Sequence, residues 1–233
     1  MKYAKESGVR TAYICALRLL ARTYFENQQY SLAISIGQKA ANQFKLPGIP
    51  IHPSLKSLVY SSLVRYQGKE NKLGVKESLR QAYDTFSQEP DPEAEQLPNF
   101  ALQSYGNIVR QGAMADLYMR KPEDALKKFG QIIDLSGEQV RPLLTVQRNL
   151  YGGIAKEATL ASLKVPNSKK DKALSIRLWK LGFQTSREFH SDEGVQKAIG
   201  LYEIMEGIWP DDSDVVELGD LVNDYLKEKH HEV

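Results

Sequence analysis

The stretch "LLARTYFENQQYSLAISIGQKA", residues 19–40, constrains this chain more than any other feature. Leu17, Leu20, Ala21 and Tyr24 recur at three- and four-residue steps, so one helix face gathers two large residues, a small one and an aromatic. The polar run "ENQQY" interrupts the pattern, and Ala33, Ile36, Gly37 and Ala40 resume it on a second helix. Small residues at Ala21 and Ala33 let two helices approach closely, while Tyr24 fills the space beside them. The expected unit is a helical hairpin with a tight crossing.

The same alternation of periodic blocks and breakers runs through all 233 residues. "LPGIPIHP", "EPDPEAEQLP", "LSGEQVRP", "VPNSKKD" and "WPDD" punctuate the helical patterns, and period-two strands with Asn-Gly or Asp-Gly turns are absent from the sequence. The blocks pair into five hairpins near 8–45, 54–87, 98–135, 140–189 and 192–228. Within them, helices are predicted over 122–135 and 140–164, with Pro122 and Pro142 each in an opening turn. Val215, Leu218, Leu221 and Val222 should face inward from the last helix. The expectation is an all-α chain forming a single domain over 1–233.

The residues of the first hairpin resemble the tetratricopeptide signature, W-x2-L-G-x2-Y on one helix and A-x3-F with a further alanine on the next. Later units are looser. Val75 and Ala82 repeat the Ala33/Ala40 pair, Ala125 with Phe129 matches A-x3-F, and Ala161 with Ala173 restores a small-small pair. The markers at 33, 75, 125 and 173 are not evenly spaced, which suits divergent units with long loops. A generic antiparallel helical array is the alternative. The resemblance implies a right-handed superhelix of about five hairpins. The segment "GLYEIMEGIWPDDSDVVELGDLV" is similar to the repeat region that follows the helix-turn-helix domain of bacterial lambda-repressor-like (Xre-type) regulators. No helix-turn-helix signature precedes residue 8, so the expectation is a sensor-like module whose DNA-binding half, if any, lies elsewhere. That resemblance implies a signalling or transcription-linked role like that of peptide-pheromone receptors.

Net charge alternates along the chain: +8 over residues 1–87, −4 over 88–138, +7 over 139–190 and −9 over 191–233. The total of +2 gives no electrostatic footprint for nucleic acid, and this chain alone is not expected to bind DNA sequence-specifically. Cys15 is the only cysteine, so no internal disulfide forms, and a reducing cytoplasm fits. The opening segment reads as an amphipathic helix rather than a signal peptide, and no apolar run approaches membrane-spanning length.

Nothing in the sequence assembles chemistry. Asp211, Asp212 and Asp214 follow Pro210 and precede a helix, where acids cap exposed amides. His52 and His190 lie at helix borders without ligand spacing, and His230 and His231 adjoin a lysine-rich end. No phosphate loop or nucleophile motif appears, so no enzyme, cofactor or metal is expected. What remains is recognition. Arg18, Arg22 and Phe25 lie away from the packing residues of the first repeat, Asn107, Arg110, Gln111 and Met114 in the third, and Arg148 and Tyr151, with Ala155, in the fourth. In tetratricopeptide proteins such positions line a concave groove, where arginine holds carboxylates and asparagine holds peptide backbone. The favoured reading is an adaptor or sensor for a peptide or protein partner. The alternative is a scaffold for self-association, as a homodimer or larger complex, with no groove ligand.

Overall fold

The computed structural model describes residues 2–47, 51–71, 73–86, 104–137, 140–142 and 148–231. Among them the helices are α1 (Lys2–Glu26), α2 (Tyr30–Asn42), α3 (Pro53–Lys69), α4 (Val75–Asp84), α5 (Tyr105–Tyr118), α6 (Pro122–Phe129), α7 (Arg148–Lys164), α8 (Lys172–Glu188), α9 (Asp192–Ile208) and α10 (Ser213–His231). The fold is all-α. The chain divides into two compact units, Met1–Lys121 and Pro122–Val233, so the boundary falls inside the third hairpin expected from the sequence.

One turn chemistry recurs. After α1, Gln28 is left-handed (φ 61°) and Gln29 N–H donates to Tyr24 C=O at 2.8 Å. After α5, Arg120 (φ 59°) precedes Lys121, whose N–H reaches Asp116 C=O at 2.8 Å. After α8, His190 (φ 48°) precedes Ser191, bonded to Ser186 C=O at 2.9 Å. A six-to-one bond across a left-handed residue satisfies a carbonyl that the helix end would otherwise orphan, which offsets the steric cost of positive φ away from glycine. Several starts are capped too: Ser104 Oγ accepts from Asn107 N–H, Asp171 Oδ1 from Leu174 N–H, and Ser191 Oγ from Gly194 N–H.

In the first unit α1 packs on α2, α2 on α3, and α3 on both α4 and α5. Leu17 joins Ile14, Ala40, Ala41, Leu55, Val59 and Leu63 in one buried cluster, and Ala21 joins Ala33, Ile34 and Tyr66 in another. Ala33, Gly37 and Ala40 are buried as the spacing requires. Leu20 departs from expectation: it is 42% exposed, because the buried stripe of α1 runs through Ile14, Leu17 and Ala21 and leaves Leu19 and Leu20 outside it. The closest glycine contact of this unit is between α3 and α5. A Cβ on Gly68 would lie 2.6 Å from both Cα and Cβ of Ala115.

In the second unit α7 packs on α8, α8 on α9, and α10 on α9 and α8. Here too glycines let helices close: a Cβ on Gly152 would meet the Thr185 side chain at 2.5 Å, and one on Gly182 would meet Lys156 Cγ at 2.5 Å. Trp179 is fully buried, stacks on Phe183 at 4.7 Å, and donates its indole N–H to Ala198 C=O at 2.7 Å. That bond makes the burial of a polar edge tolerable. Val215, Leu218 and Val222 are buried in the same cluster, with Leu221 partly buried against it.

Two sequence expectations change in this unit. The helix predicted over 122–135 stops at Phe129, before Gly130, and Ile133–Asp134 (β1) pairs antiparallel with Arg141–Pro142 (β2). The β-branched Ile132 and Ile133 are fully buried, and burying both extends the chain where periodicity alone favoured another helical turn. Pro142 therefore sits in a two-residue strand rather than a helix start, and α7 begins at Arg148. The acidic run before α10 behaves as caps. Asp212 Oδ1 accepts from Asp214 N–H at 3.1 Å, and Lys172 Nζ bridges from α8 to Asp212 and Asp214, each at 2.7 Å.

Gly68→Val should destabilise the protein by about 1–3 kcal/mol in urea unfolding, because the Ala115 backbone cannot yield. Gly200→Ala is the contrasting case. A Cβ there meets nothing within 4 Å, and α9 should gain about 0.5–1 kcal/mol.

The Lys172 bonds hold the Asp212 carboxyl below the usual range. Their contribution is present above the unfolded carboxyl pKa of about 3.9 and is lost as pH falls through the lower folded value. In Lys172→Met, the stability difference from wild type seen near neutral pH should vanish in strong acid. Tryptophan fluorescence reads this directly, since Trp179 and Trp209 both lie in the second unit.

Candidate functional site

The first unit collects cations around aromatic rings where α1, α3 and α5 carry their last turns. The Phe25 ring centroid lies 4.9 Å from that of Tyr66, 5.4 Å from Tyr30 and 6.3 Å from Tyr118. The Arg65 guanidinium lies 5.2 Å over Phe25, and Lys69 Nζ lies 4.7 Å from the Tyr118 centroid and 5.3 Å from that of Tyr30. A cation over a ring face is attracted by the ring quadrupole, the more so as water is excluded.

Arg18 stands at the buried edge of this cluster. Its side chain is half-buried, and its buried Nε has no hydrogen-bond partner among the described residues. Burial lowers its pKa; Tyr66 and Cys15 act in the opposite sense, and Arg22 adds to the lowering. No carboxylate figures among those groups. Arg22, one turn on, is exposed and spends its Nε on Glu26 Oε1 at 2.6 Å, an i, i+4 pair in water that is worth little. Tyr66 is 5% exposed, and burial raises its phenol pKa, with Arg18 opposing. Cys15 is a half-buried free thiol whose pKa burial also raises.

The α5 candidates are placed differently from the sequence reading. Asn107 and Met114 are buried, because α5 buries residues 106–109 and 112–117 rather than one stripe. Gln111 donates from Nε2 to Asn107 Oδ1 at 3.2 Å, while its buried Oε1 has no partner. Arg110 is half-buried. Equal offsets from packing residues do not give equal exposure when one helix is an outer element and the other a central one.

In the second unit Arg148 opens α7, and its side chain lies outside the described residues. Tyr151 is 8% exposed, and its buried hydroxyl has no hydrogen-bond partner among the described residues. Burial, with the Asp134 charge adding, pushes the Tyr151 phenol up to about 12. Tyr151 therefore belongs to the packed interior and not to an open groove. Arg18, Arg22 and Phe25 lie in one unit, and Arg148 and Tyr151 in the other.

Tyr30, Arg65, Tyr66, Lys69 and Tyr118 were not among the residues singled out from the sequence. The run "RYQGK" at 65–69 carried a signal, two cations four apart beside an aromatic, but only the folded chain brings Phe25 and Tyr118 to it. His52 serves as a cap: its Nδ1 accepts from Ser54 N–H at 3.2 Å. Among the described residues no group of three or more His, Cys, Asp or Glu could hold a metal ion, and no helix is long and apolar enough to cross a membrane. Comparison with protein-family models, curated proteins and solved structures finds no match.

The Arg18 environment has a measurable signature. Because its partial desolvation is not offset by an anion, Arg18→Met should leave thermal stability unchanged or raise it by about 0.5–1 kcal/mol. Tyr66→Ala removes a buried ring from the same contact and should cost about 3–5 kcal/mol.

Proposed function

We propose that this chain is a non-enzymatic, cytoplasmic adaptor or sensor of tetratricopeptide-like architecture that binds an extended peptide or protein segment carrying a carboxylate. In this reading the helical hairpins continue into a right-handed superhelix, and the first helices of successive hairpins line its concave side. Arg18 is the principal anchor and Arg22 the outer one. The likeness to the repeat region of lambda-repressor-like regulators extends the proposal to a transcription-linked role, exercised through a partner.

The observation that carries the reading is Arg18, a half-buried guanidinium whose buried Nε has no hydrogen-bond partner, and on which no carboxylate acts, among the described residues. Arginine is the side chain suited to a planar carboxylate, since its fork can donate two parallel hydrogen bonds. Tyr66, which acts on Arg18, belongs to a cluster with Phe25, Tyr30 and Tyr118 that supplies rigid apolar surface, as peptide-binding grooves commonly do. Of the groove residues expected from sequence, Arg18, Arg22 and Phe25 remain in the proposed site. Asn107, Gln111, Met114 and Tyr151 take packing roles.

The test is a peptide library panned against the whole protein, followed by calorimetry on the selected sequences. Wild type should select peptides with acidic side chains or a free C-terminal carboxylate. Arg18→Ala should weaken them by about tenfold or more, as loss of a charge-assisted hydrogen bond does, with unfolding little changed. Selection of no peptide, or full affinity in Arg18→Ala, would overturn the reading.

A further inference from the structure

The far end of α10 is held to the second unit differently from its beginning. Val215, Leu218 and Val222 are buried in the cluster around Trp179 and Phe183, so the first turns dock by apolar contact. Beyond Val222 that stripe ends. Of the side chains from Asn223 to Lys229, all but Tyr225 are exposed. Tyr225 meets Phe183 edge-on, with ring centroids 6.1 Å apart. The Arg187 guanidinium lies 5.6 Å from the Tyr225 centroid, and Lys229 Nζ lies 5.9 Å from it. Each of those cations also holds a carboxylate of another helix. Arg187 of α8 pairs with Glu228 at 2.6 Å, and Lys229 pairs with Asp192 at the start of α9. Lys229 holds the Asp192 carboxyl below its usual range, with a Tyr225 hydrogen bond acting in the same sense. The run Glu228, Arg187, Tyr225, Lys229, Asp192 therefore alternates charge and ring across three helices.

We infer that residues 223–231 form a charge-held clasp that opens separately from the rest of α10 as ionic strength rises, lifting Tyr225 off Phe183. Salt screens exposed ion pairs but does not weaken apolar burial. The Arg187, Glu228, Lys229 and Asp192 side chains are all more than a third exposed, so both pairs lie within reach of that screening. The first half of α10 also carries an ion pair, Lys180 with Glu217 at 2.8 Å, but there it lies next to the buried Leu218 and adds to a contact that stands without it. A segment as short as 223–231 does not stay helical once it leaves the surface, because tertiary packing no longer offsets the cost of ordering it. Opening of this kind at a chain terminus costs less than global unfolding, so it precedes it. The open form uncovers Phe183, which is 1% exposed when the clasp is shut. The second unit thereby carries an apolar spot whose exposure follows the salt concentration.

Hydrogen exchange read by mass spectrometry on the full chain tests this in about 0.01 M and about 1 M sodium chloride, between which the Debye length falls from about 30 Å to about 3 Å. In low salt the amides of 223–231 should exchange more slowly than those of an unfolded chain. In high salt their protection should fall by about fivefold or more, while that of 213–222 changes little. Arg187→Gln removes the Glu228 pair and the cation over Tyr225 together. It should open the clasp already in low salt, with a smaller further response to salt and a circular dichroism melt near that of wild type. Lys180→Gln, which removes a cation from the first half only, should leave 223–231 as in wild type. Several results would each overturn the inference: no protection of 223–231 in low salt, equal protection at both salts, or loss shared equally by 213–222. So would a clasp that stays shut in Arg187→Gln, or one that opens as far in Lys180→Gln. Arg18 lies in the first unit, so peptide binding through it stands or falls separately.

Discussion

Close approach of helix backbones is the constraint on which the rest of this protein depends. Gly68 against Ala115, Gly152 against Thr185, and Gly182 against the stem of Lys156 each leave no room for a methyl group. Ala21 and Ala33 are buried together with Ile34 and Tyr66 in the first hairpin. At such crossings dispersion between backbones replaces interlocking of large side chains, and the helices are held at one distance. The space saved at the crossing is taken by large residues a turn away. Tyr66 fills beside Gly37, and Trp179 with Phe183 fills the α8–α9 layer.

Polar groups drawn into these crossings are satisfied locally. Ser57 Oγ donates across to Ala82 C=O at 2.7 Å, and Ser162 and Ser175 bond each other at 2.8 Å. Lys156 runs its aliphatic stem over Gly182 and bonds Ser186 Oγ with its ammonium. Small hydroxylated residues therefore serve two purposes, leaving the backbones close and tying neighbouring helices by hydrogen bonds. Among the described residues Arg18 Nε and the Tyr151 hydroxyl are two of seven buried side-chain atoms that stand apart from this rule, Gln111 Oε1 being another. The first lies at the edge of a cation–aromatic cluster and carries the functional proposal. The second is enclosed by its own unit, beside Asp134.

Surface ion pairs add little to this framework individually, being screened and mobile. Those that join elements distant in sequence are more informative. Lys180 with Glu217 and Arg187 with Glu228 run from α8 to α10, and Lys172 reaches Asp212 just before α10. They tie three cations of the basic block of residues 139–190 to carboxylates of the acidic block of 191–233, all within the second unit.

The sequence by itself determined the all-α class, the hairpin at residues 17–40 and the inward face of α10. Each of these rests on local periodicity and on small residues whose only use is close packing. It also located a helix cap in the Asp-rich run before α10, where Asp212 takes that place, since capping is a matter of a few neighbouring residues. Tertiary structure alone decided exposure. Leu20 has the spacing of a packing residue but lies outside the stripe that α2 and α3 cover, and Met114 has the offset of a groove residue but lies in a helix buried on most sides. The strand pair at Ile133 and Pro142 likewise needed partners remote from the local pattern. The gathering of Phe25, Tyr30, Tyr66 and Tyr118 belongs to the same class, because four rings from four helices meet only once the crossings have fixed helix against helix. Periodicity states which residues share a face of one helix, whereas what that face meets depends on every helix packed around it.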